Sequence, residues 1–192
     1  MDIGRIALRG VVGPLFVGHG TQKLFGWFGG HGPEGTAGFF ESLGLRPGRR
    51  HATAAGAAEA VGGALLTLGA LTPVASAAIT GVMTTAIRKV HASKGPWATD
   101  GGYEYNLVTI AAMAAIAECG PGRLSVDHAA FPWMKGTAWA LGAVAVGVAG
   151  SYLATERFTE PEPAAAPAPP AREHGRFSRE EQPAEQPAAA LT

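Results

Sequence analysis

Five stretches of the chain are rich in apolar residues and predict five helices. They cover approximately residues 3–24, 52–71, 74–90, 105–120 and 137–153. A helix rises about 1.5 Å per residue, so roughly 20 residues cross the ~30 Å hydrocarbon core of a bilayer. The second stretch reaches this length with one charge, Glu59, whereas the third and fourth are short. The pattern therefore predicts an all-α, polytopic membrane protein.

A soluble helical bundle is the alternative to a membrane bundle. A surface helix of a soluble protein carries a polar stripe beside an apolar one. Residues 54–71, AAGAAEAVGGALLTLGAL, show no such stripe. Gly62, Gly63 and Gly81 are among the small residues that allow helices to approach closely in lipid. Both features favour the membrane bundle.

The segments between and around the stretches add three expectations. Thr72 and Pro73 alone join the second and third stretches, which predicts a tight antiparallel hairpin with Pro73 in the first helical turn. No small-x-small cleavage pattern follows the first stretch, so we expect it to be retained rather than removed as a signal peptide. Residues 156–192 hold seven of the 14 prolines and almost no large apolar residues, a composition that predicts a disordered tail.

Charge and cysteine content exclude several classes of function. The formal net charge is zero, which gives no electrostatic reason for nucleic acid as a partner. Cys119 is the single cysteine, so an intrachain disulfide, a CxxC redox pair and a cysteine-built zinc or iron–sulfur site are excluded. The six histidines show no HxxxH or HExxH spacing, so no metal site is predicted. Electrons for any redox reaction would have to come from a partner.

Polar residues near the ends of the apolar stretches are predicted to meet at one membrane face. In antiparallel helices, His19 and Glu59 would both lie roughly 8–10 Å inside that face. Alternation of the following helices brings further polar residues to the same face. The candidate cluster comprises His19, Gln22, Lys23, Glu59, Arg88, His91, Glu104, Tyr105 and Asn106. At the opposite face, Arg5, Arg9 and Glu118 are expected to form structural ion pairs.

Structural interpretations of this cluster remain open beside the functional one. Glu59 can pair with Lys23 only to make its burial tolerable, because an isolated carboxylate in lipid is costly. His19 can be a packed histidine between two glycines, and Arg88 an ordinary flanking charge. Their joint occurrence at one depth is the argument for a site.

Three groups of residues resemble the DoxX family of small integral membrane proteins. The first is Arg9 followed by GHGTQKLFG at residues 18–26 and by Phe28-Gly29-Gly30. The second is Glu59 with the glycine pair at residues 62–63 and Leu68-Gly69. The third combines KGPW at residues 94–97 with GGYEYNL at residues 101–107. Together they span about residues 5–120.

The resemblance implies a four-helix transmembrane domain over residues 1–120. A loop and an additional transmembrane helix at residues 121–155, and the tail at residues 156–192, lie outside the family pattern. Family members are connected with a thiosulfate:quinone oxidoreductase and with membrane assemblies of sulfur-handling and superoxide-removing enzymes. The resemblance thus implies a multi-pass protein of the plasma (cytoplasmic) membrane with redox enzymes as partners.

The function expected from these observations is that of a membrane subunit of a redox assembly. It would hold no cofactor of its own, and the polar cluster would serve a quinone headgroup or proton transfer. A non-catalytic membrane scaffold or assembly factor, and a small carrier or channel, are the alternatives. A homo-oligomer is compatible with each. The cluster face carries seven basic residues against four at the opposite face, which predicts that it faces the cytoplasm.

Overall fold

The computed structural model describes residues 2–161, and within them every regular element is a helix. The predicted all-helical class is therefore confirmed, while the part of the predicted disordered tail at residues 162–192 lies outside the described residues. The α-helices of this range are α1 (Ile3–Phe25), α2 (Gly32–Ser42), α3 (Gly48–Leu68), α4 (Thr72–Ala86), α5 (Glu104–Cys119), α6 (Val126–Ala130) and α7 (Thr137–Tyr152).

Each of the five apolar stretches corresponds to one helix, but α2 and α6 do not appear in the sequence prediction. The α2 segment, GPEGTAGFFES, contains three glycines, which lower helix propensity and obscure its pattern. Its available signals are Pro33 and Glu34 in the first turn. The predicted tight connection between α3 and α4 is confirmed, with Pro73 in the first turn of α4.

Two of the helices continue as short π-helical segments. Helix α4 extends through Ile87–His91, and α7 extends through Leu153–Arg157. Residues 158–160 then return toward the start of α3: Thr159 Oγ1 contacts His51 Nε2 at 3.3 Å, and the Glu160 amide donates to the Arg46 carbonyl at 2.8 Å. The π-helical extension of α7 therefore ends at Arg157, just past the predicted tail boundary at residue 156. The contacts of Thr159 and Glu160 hold the residues that follow it.

Glycines bring two pairs of helices into close contact. In the α1–α3 pair, a β-carbon on Gly20 would overlap the backbone of Gly56 and Ala60. In the α4–α7 pair, a β-carbon on Gly147 would lie 2.7 Å from the Ala77 carbonyl oxygen. Such close approach maximises van der Waals contact between the paired helices.

The main core combines buried side chains of α1, α3, α4 and α5. Its members are Phe16, Leu66, Ala75, Ile79, Met83, Met113 and Ile116. Helix α7 packs outside this core against α4 and α5. Helices α1 and α3 are antiparallel, α4 follows α3 through a tight turn, and the end of α7 returns toward the start of α3. As a result, α1, α4 and α7 end at the same face, and α3 and α5 begin there.

At the opposite face of the helices, two buried charged side chains, Arg9 and Asp127, bind backbone groups. Arg9 is buried and donates to the carbonyls of Leu66, Thr67, Pro121 and Leu124. Asp127, also buried, accepts from the amides of Leu71 and Thr72 at 2.7 and 2.8 Å, at the start of α4.

Arg5, Arg9 and Glu118, for which ion pairing was expected, each contact partners other than one another. Arg5 pairs with Asp2 at 3.4 Å, whereas Glu118 accepts from the Thr137 hydroxyl at 2.8 Å. Arg9 instead donates to four backbone carbonyls, two of them in the last turn of α3, because a guanidinium has several donors.

Length and apolar composition single out one helical segment of the described chain as able to cross a membrane, Thr137–Arg157. It has a mean hydropathy of 1.5. By itself this is weak evidence, since a buried helix of a soluble protein can meet the same criteria.

Candidate functional site

A cavity of about 890 Å³ lies among α1, α2, α3, α4, α5 and α7. Its walls are mostly apolar, with Phe39 and Phe40 from α2 and a series of alanines from α3 and α4. Six residues of the predicted cluster line it: His19, Lys23, Glu59, His91, Tyr105 and Asn106. The structure thus brings most of the predicted polar residues to one apolar space.

Lys23 and Glu59 form an ion pair across the α1–α3 contact. Lys23 Nζ lies 2.6 Å from Glu59 Oε2, and the two side chains are 25% and 4% exposed, respectively. Such a contact requires both residues to lie at the same level of antiparallel helices, and it is the pairing of Glu59 with Lys23 that the sequence left open. Glu59 is accordingly neutralised where it borders the cavity.

A short chain of hydrogen bonds fixes the orientation of His19. Gln22 Nε2 donates to the Phe28 carbonyl at 3.4 Å, which leaves Gln22 Oε1 as an acceptor. His19 Nδ1 lies 3.2 Å from that oxygen and donates to it. Gln22 therefore does not line the cavity but positions a residue that does.

His91 and Asn106 are held in a comparable way on the other side. His91, at the end of the π-helical segment, donates from Nδ1 to the Gly101 carbonyl at 2.6 Å. Asn106 is buried and donates from Nδ2 to Met83 Sδ at 3.3 Å. Both side chains border the cavity with one polar atom engaged by the chain.

Arg88 and Glu104 belong to the predicted cluster but lie outside the cavity lining. Arg88 binds the end of α7: it contacts Glu156 at 2.7 Å and Thr155 Oγ1 at 3.0 Å, and its guanidinium lies 3.5 Å from the Tyr152 ring centroid. Glu104 accepts from the Ala98 amide at 3.0 Å. The contacts of these two residues are those of helix anchors, because each satisfies polar groups at a helix end.

Several cavity residues are absent from the sequence prediction. His51 and Lys89 border the cavity, as do Thr85 and Ser151, whose hydroxyl oxygens lie 2.8 Å apart across the α4–α7 contact. The available signal for Ser151 is its i,i+4 spacing from Thr155 on an otherwise apolar helix. His51 gives no comparable signal, because its partner Thr159 is distant in sequence.

His51 lies just before the apolar stretch that begins at residue 52. Burial lowers the pKa of His51. Hydrogen bonds to the backbone of Arg46 and Phe158 oppose this change, whereas the positive charges of Arg50 and Lys89 reinforce it. Thr159 contacts its Nε2 atom. Its ring atoms are thus engaged by the chain, and His51 serves to fasten residues 158–160 to α3.

The arrangement can bind an elongated apolar molecule with a polar head and can exchange protons with that head. Imidazole, carboxylate and phenol groups border the space, and all three can donate or accept protons. Within residues 2–161, no group of three or more His, Cys, Asp or Glu side chains is placed to hold a metal ion.

Comparison with known proteins agrees with the first part of this architecture. Residues 4–92 match the sequence model of the DoxX family, which covers α1 to the end of the π-helical segment after α4. No curated protein and no solved structure shows significant similarity to the chain. The match ends before the KGPW and GGYEYNL motifs, so α5 and α7 lie outside it. Residues 4–92 are therefore a DoxX-family region, and this family is membrane-associated.

Proposed function

We propose that the chain is a multi-pass membrane subunit of a redox-linked assembly and that it binds a quinone-type molecule in the cavity. The observation that carries the proposal is the 890 Å³ apolar space with the Lys23–Glu59 pair, His19 and His91 on its walls. An isoprenoid or alkyl tail suits the alanine and phenylalanine surfaces. The polar head suits the groups at the end of α1 and the start of α5.

Membrane insertion through five helices accompanies this proposal. Helices α1, α3, α4, α5 and α7 run alternately between the face that holds the cavity residues and the face that holds Arg9 and Asp127. Helices tolerate charged side chains that face the interior of a bundle, and these side chains lower the hydropathy of the four helices relative to α7. The location we propose is the plasma membrane, with the bilayer around the outer surfaces of these helices.

Proton handling is the chemical contribution that the chain's own residues support. Reduction of a quinone takes up protons and oxidation of a quinol releases them. His19, His91 and Glu59 border the cavity and are residue types that transfer protons. Electrons come from a partner enzyme in this proposal.

A binding comparison with a matched pair of glycine variants tests the proposal. Gly150 and Gly142 both lie in α7 with open space where a β-carbon would be, but only Gly150 borders the cavity. Gly150→Phe is expected to lower the affinity for 2-decyl-1,4-benzoquinone by about tenfold or more by filling the cavity, whereas Gly142→Phe leaves it unchanged. Affinity is measured by thermal-stability titration of the protein in nanodiscs.

The outcomes also separate the alternative functions. Equal affinity of wild type and Gly150→Phe, or no binding to wild type, would reject the cavity as a quinone site. If a variant that does not bind the quinone still supports full assembly of the partner enzyme, the scaffold alternative is favoured. Uptake of a solute into proteoliposomes would favour a carrier or channel.

A further inference from the structure

We infer that the cavity binds the hydroxyl-bearing, reduced form of its ligand, a hydroquinone, more tightly than the oxidised dione. This inference rests on the proposed function and adds which redox form the site selects. Two of the three cavity histidines, His19 and His91, carry the inference. It depends on which ring nitrogen of each donates a hydrogen bond and which one accepts.

Each of these histidines donates its Nδ1 proton to a fixed acceptor. For His91 the acceptor is the Gly101 carbonyl at 2.6 Å, which can only accept. For His19 it is Gln22 Oε1 at 3.2 Å, and the amide of Gln22 is oriented by its own donation to Phe28. The neutral imidazole carries one proton, so Nε2 of each ring is left as an acceptor.

Two of the donors that border the cavity are already engaged by other groups of the chain. Lys23 is engaged by Glu59 at 2.6 Å and approaches the His19 carbonyl at 3.5 Å. The Asn106 amide nitrogen is directed to Met83 Sδ. Lys89 and Tyr105 remain as groups that can donate to a ligand.

A hydroxyl group satisfies both kinds of partner, whereas a ketone satisfies only one. A hydroquinone oxygen can donate to an imidazole Nε2 and still accept from Lys89 or Tyr105. A dione leaves the lone pair of the partly buried His91 imidazole without a donor in a largely apolar space, and an unsatisfied acceptor of this kind lowers affinity by about tenfold. No electron transfer is required for this preference, since it concerns binding alone.

Three probes with the same alkyl tail test the inference in nanodiscs under argon: 2-decylhydroquinone, 2-decyl-1,4-benzoquinone and the dimethyl ether of the hydroquinone. Wild type is expected to bind the hydroquinone about tenfold more tightly than either other probe. The ether controls for ring and tail, because it keeps both but has no hydroxyl donor.

Asparagine variants identify the responsible atom. In His91→Asn the amide nitrogen can still donate to Gly101, but the Nε2 acceptor is lost, so the preference is expected to fall to about threefold or less. His31→Asn is the control, since His31 is outside the cavity lining. His19→Asn provides the second test position if His91→Asn does not fold.

The results distinguish this inference from the proposed function. Equal wild-type affinity for hydroquinone, dione and ether, with loss of all three in Gly150→Phe, would overturn the redox-form preference and leave quinone binding in place. Tighter binding of the dione would also overturn it. Failure of wild type to bind any of the three would reject both proposals.

Discussion

Glu59 is buried inside an apolar helix, and Lys23 lies beside it at 2.6 Å. A buried carboxylate without a partner loses hydration that the protein does not replace, and it adopts its neutral form or destabilises the fold. Lys23 is a quarter exposed, so part of the attraction is screened by the surroundings. The pair is therefore expected to contribute less than a fully buried one.

Variants of this pair separate structural from functional roles. Lys23→Met or Glu59→Gln is expected to cost roughly 1–3 kcal/mol, and the double variant to recover much of it, because neither lone charge remains. Thermal unfolding in detergent gives the stabilities. If the pair also takes part in proton transfer, the double variant regains stability without regaining activity in a redox assay. Strictly additive single effects would contradict the coupling.

His51 makes the attachment of residues 158–160 dependent on pH. Burial lowers the folded-state pKa of His51, so the neutral ring is favoured in the folded protein. With an unfolded pKa of about 6.5, its contribution to stability is complete above that value and is lost as the pH falls through the folded pKa.

Comparison with His51→Asn isolates this dependence. Wild type is expected to lose more of its melting temperature than the variant between about pH 7.5 and pH 5. Carboxylates titrate in both proteins and cancel in the difference. A difference in melting temperature that stays constant across this range would show that the pKa of His51 is the same in the folded and the unfolded protein.

Helix α1 approaches α3 so closely that the two cannot accept a methyl group between them. A β-carbon on Gly20 meets α3 backbone, whereas one on Gly10 of the same helix has open space. Gly10→Ala is expected to be neutral or to stabilise by up to about 1 kcal/mol through helix propensity. Gly20→Ala is expected to destabilise by about 1–3 kcal/mol, since the helices must separate. Equal melting temperatures for the two variants would contradict this packing.

The five helices that follow apolar stretches and the Lys23–Glu59 contact could be predicted from the sequence because both follow from local rules. Apolar runs mark the helices, and equal depth in antiparallel neighbours places Lys23 against Glu59. The role of Arg88 could not be predicted, because its partner Glu156 belongs to a segment whose composition indicated disorder. Likewise, Asp127 acts through amides of Leu71 and Thr72, and backbone groups carry no sequence signal.

The distribution of charge over the whole molecule predicts its orientation. The face that holds the Lys23–Glu59 pair also carries the basic residues of the α2–α3 connection and of the end of α4, and Arg157 at the end of α7 joins them. The opposite face carries Arg5, Arg9, Arg123 and Lys135. From the excess of positive charge among the described residues, we expect the first face to lie in the cytoplasm.

Cysteine labelling in intact cells tests this orientation. Cys119 is exposed at the end of α5 and reports on the opposite face without any mutation. Ser42→Cys in a Cys119→Ser background reports on the cavity face, where Ser42 is exposed at the end of α2. An impermeant maleimide is expected to label Cys119 directly and Ser42→Cys only after permeabilisation. The reverse pattern would mean that the cavity face is outside.

Burial along α4 declines from one end of the helix to the other. Thr72, Ala75, Ser76 and Ile79 are fully buried, whereas the π-helical segment Ile87–His91 contains no buried residue. Local unfolding requires least free energy where few contacts are lost, so backbone amides near His91 exchange with solvent deuterium well before those near Ser76. The ligand-facing end of α4 can thus rearrange around a guest while the remainder of the helix stays folded.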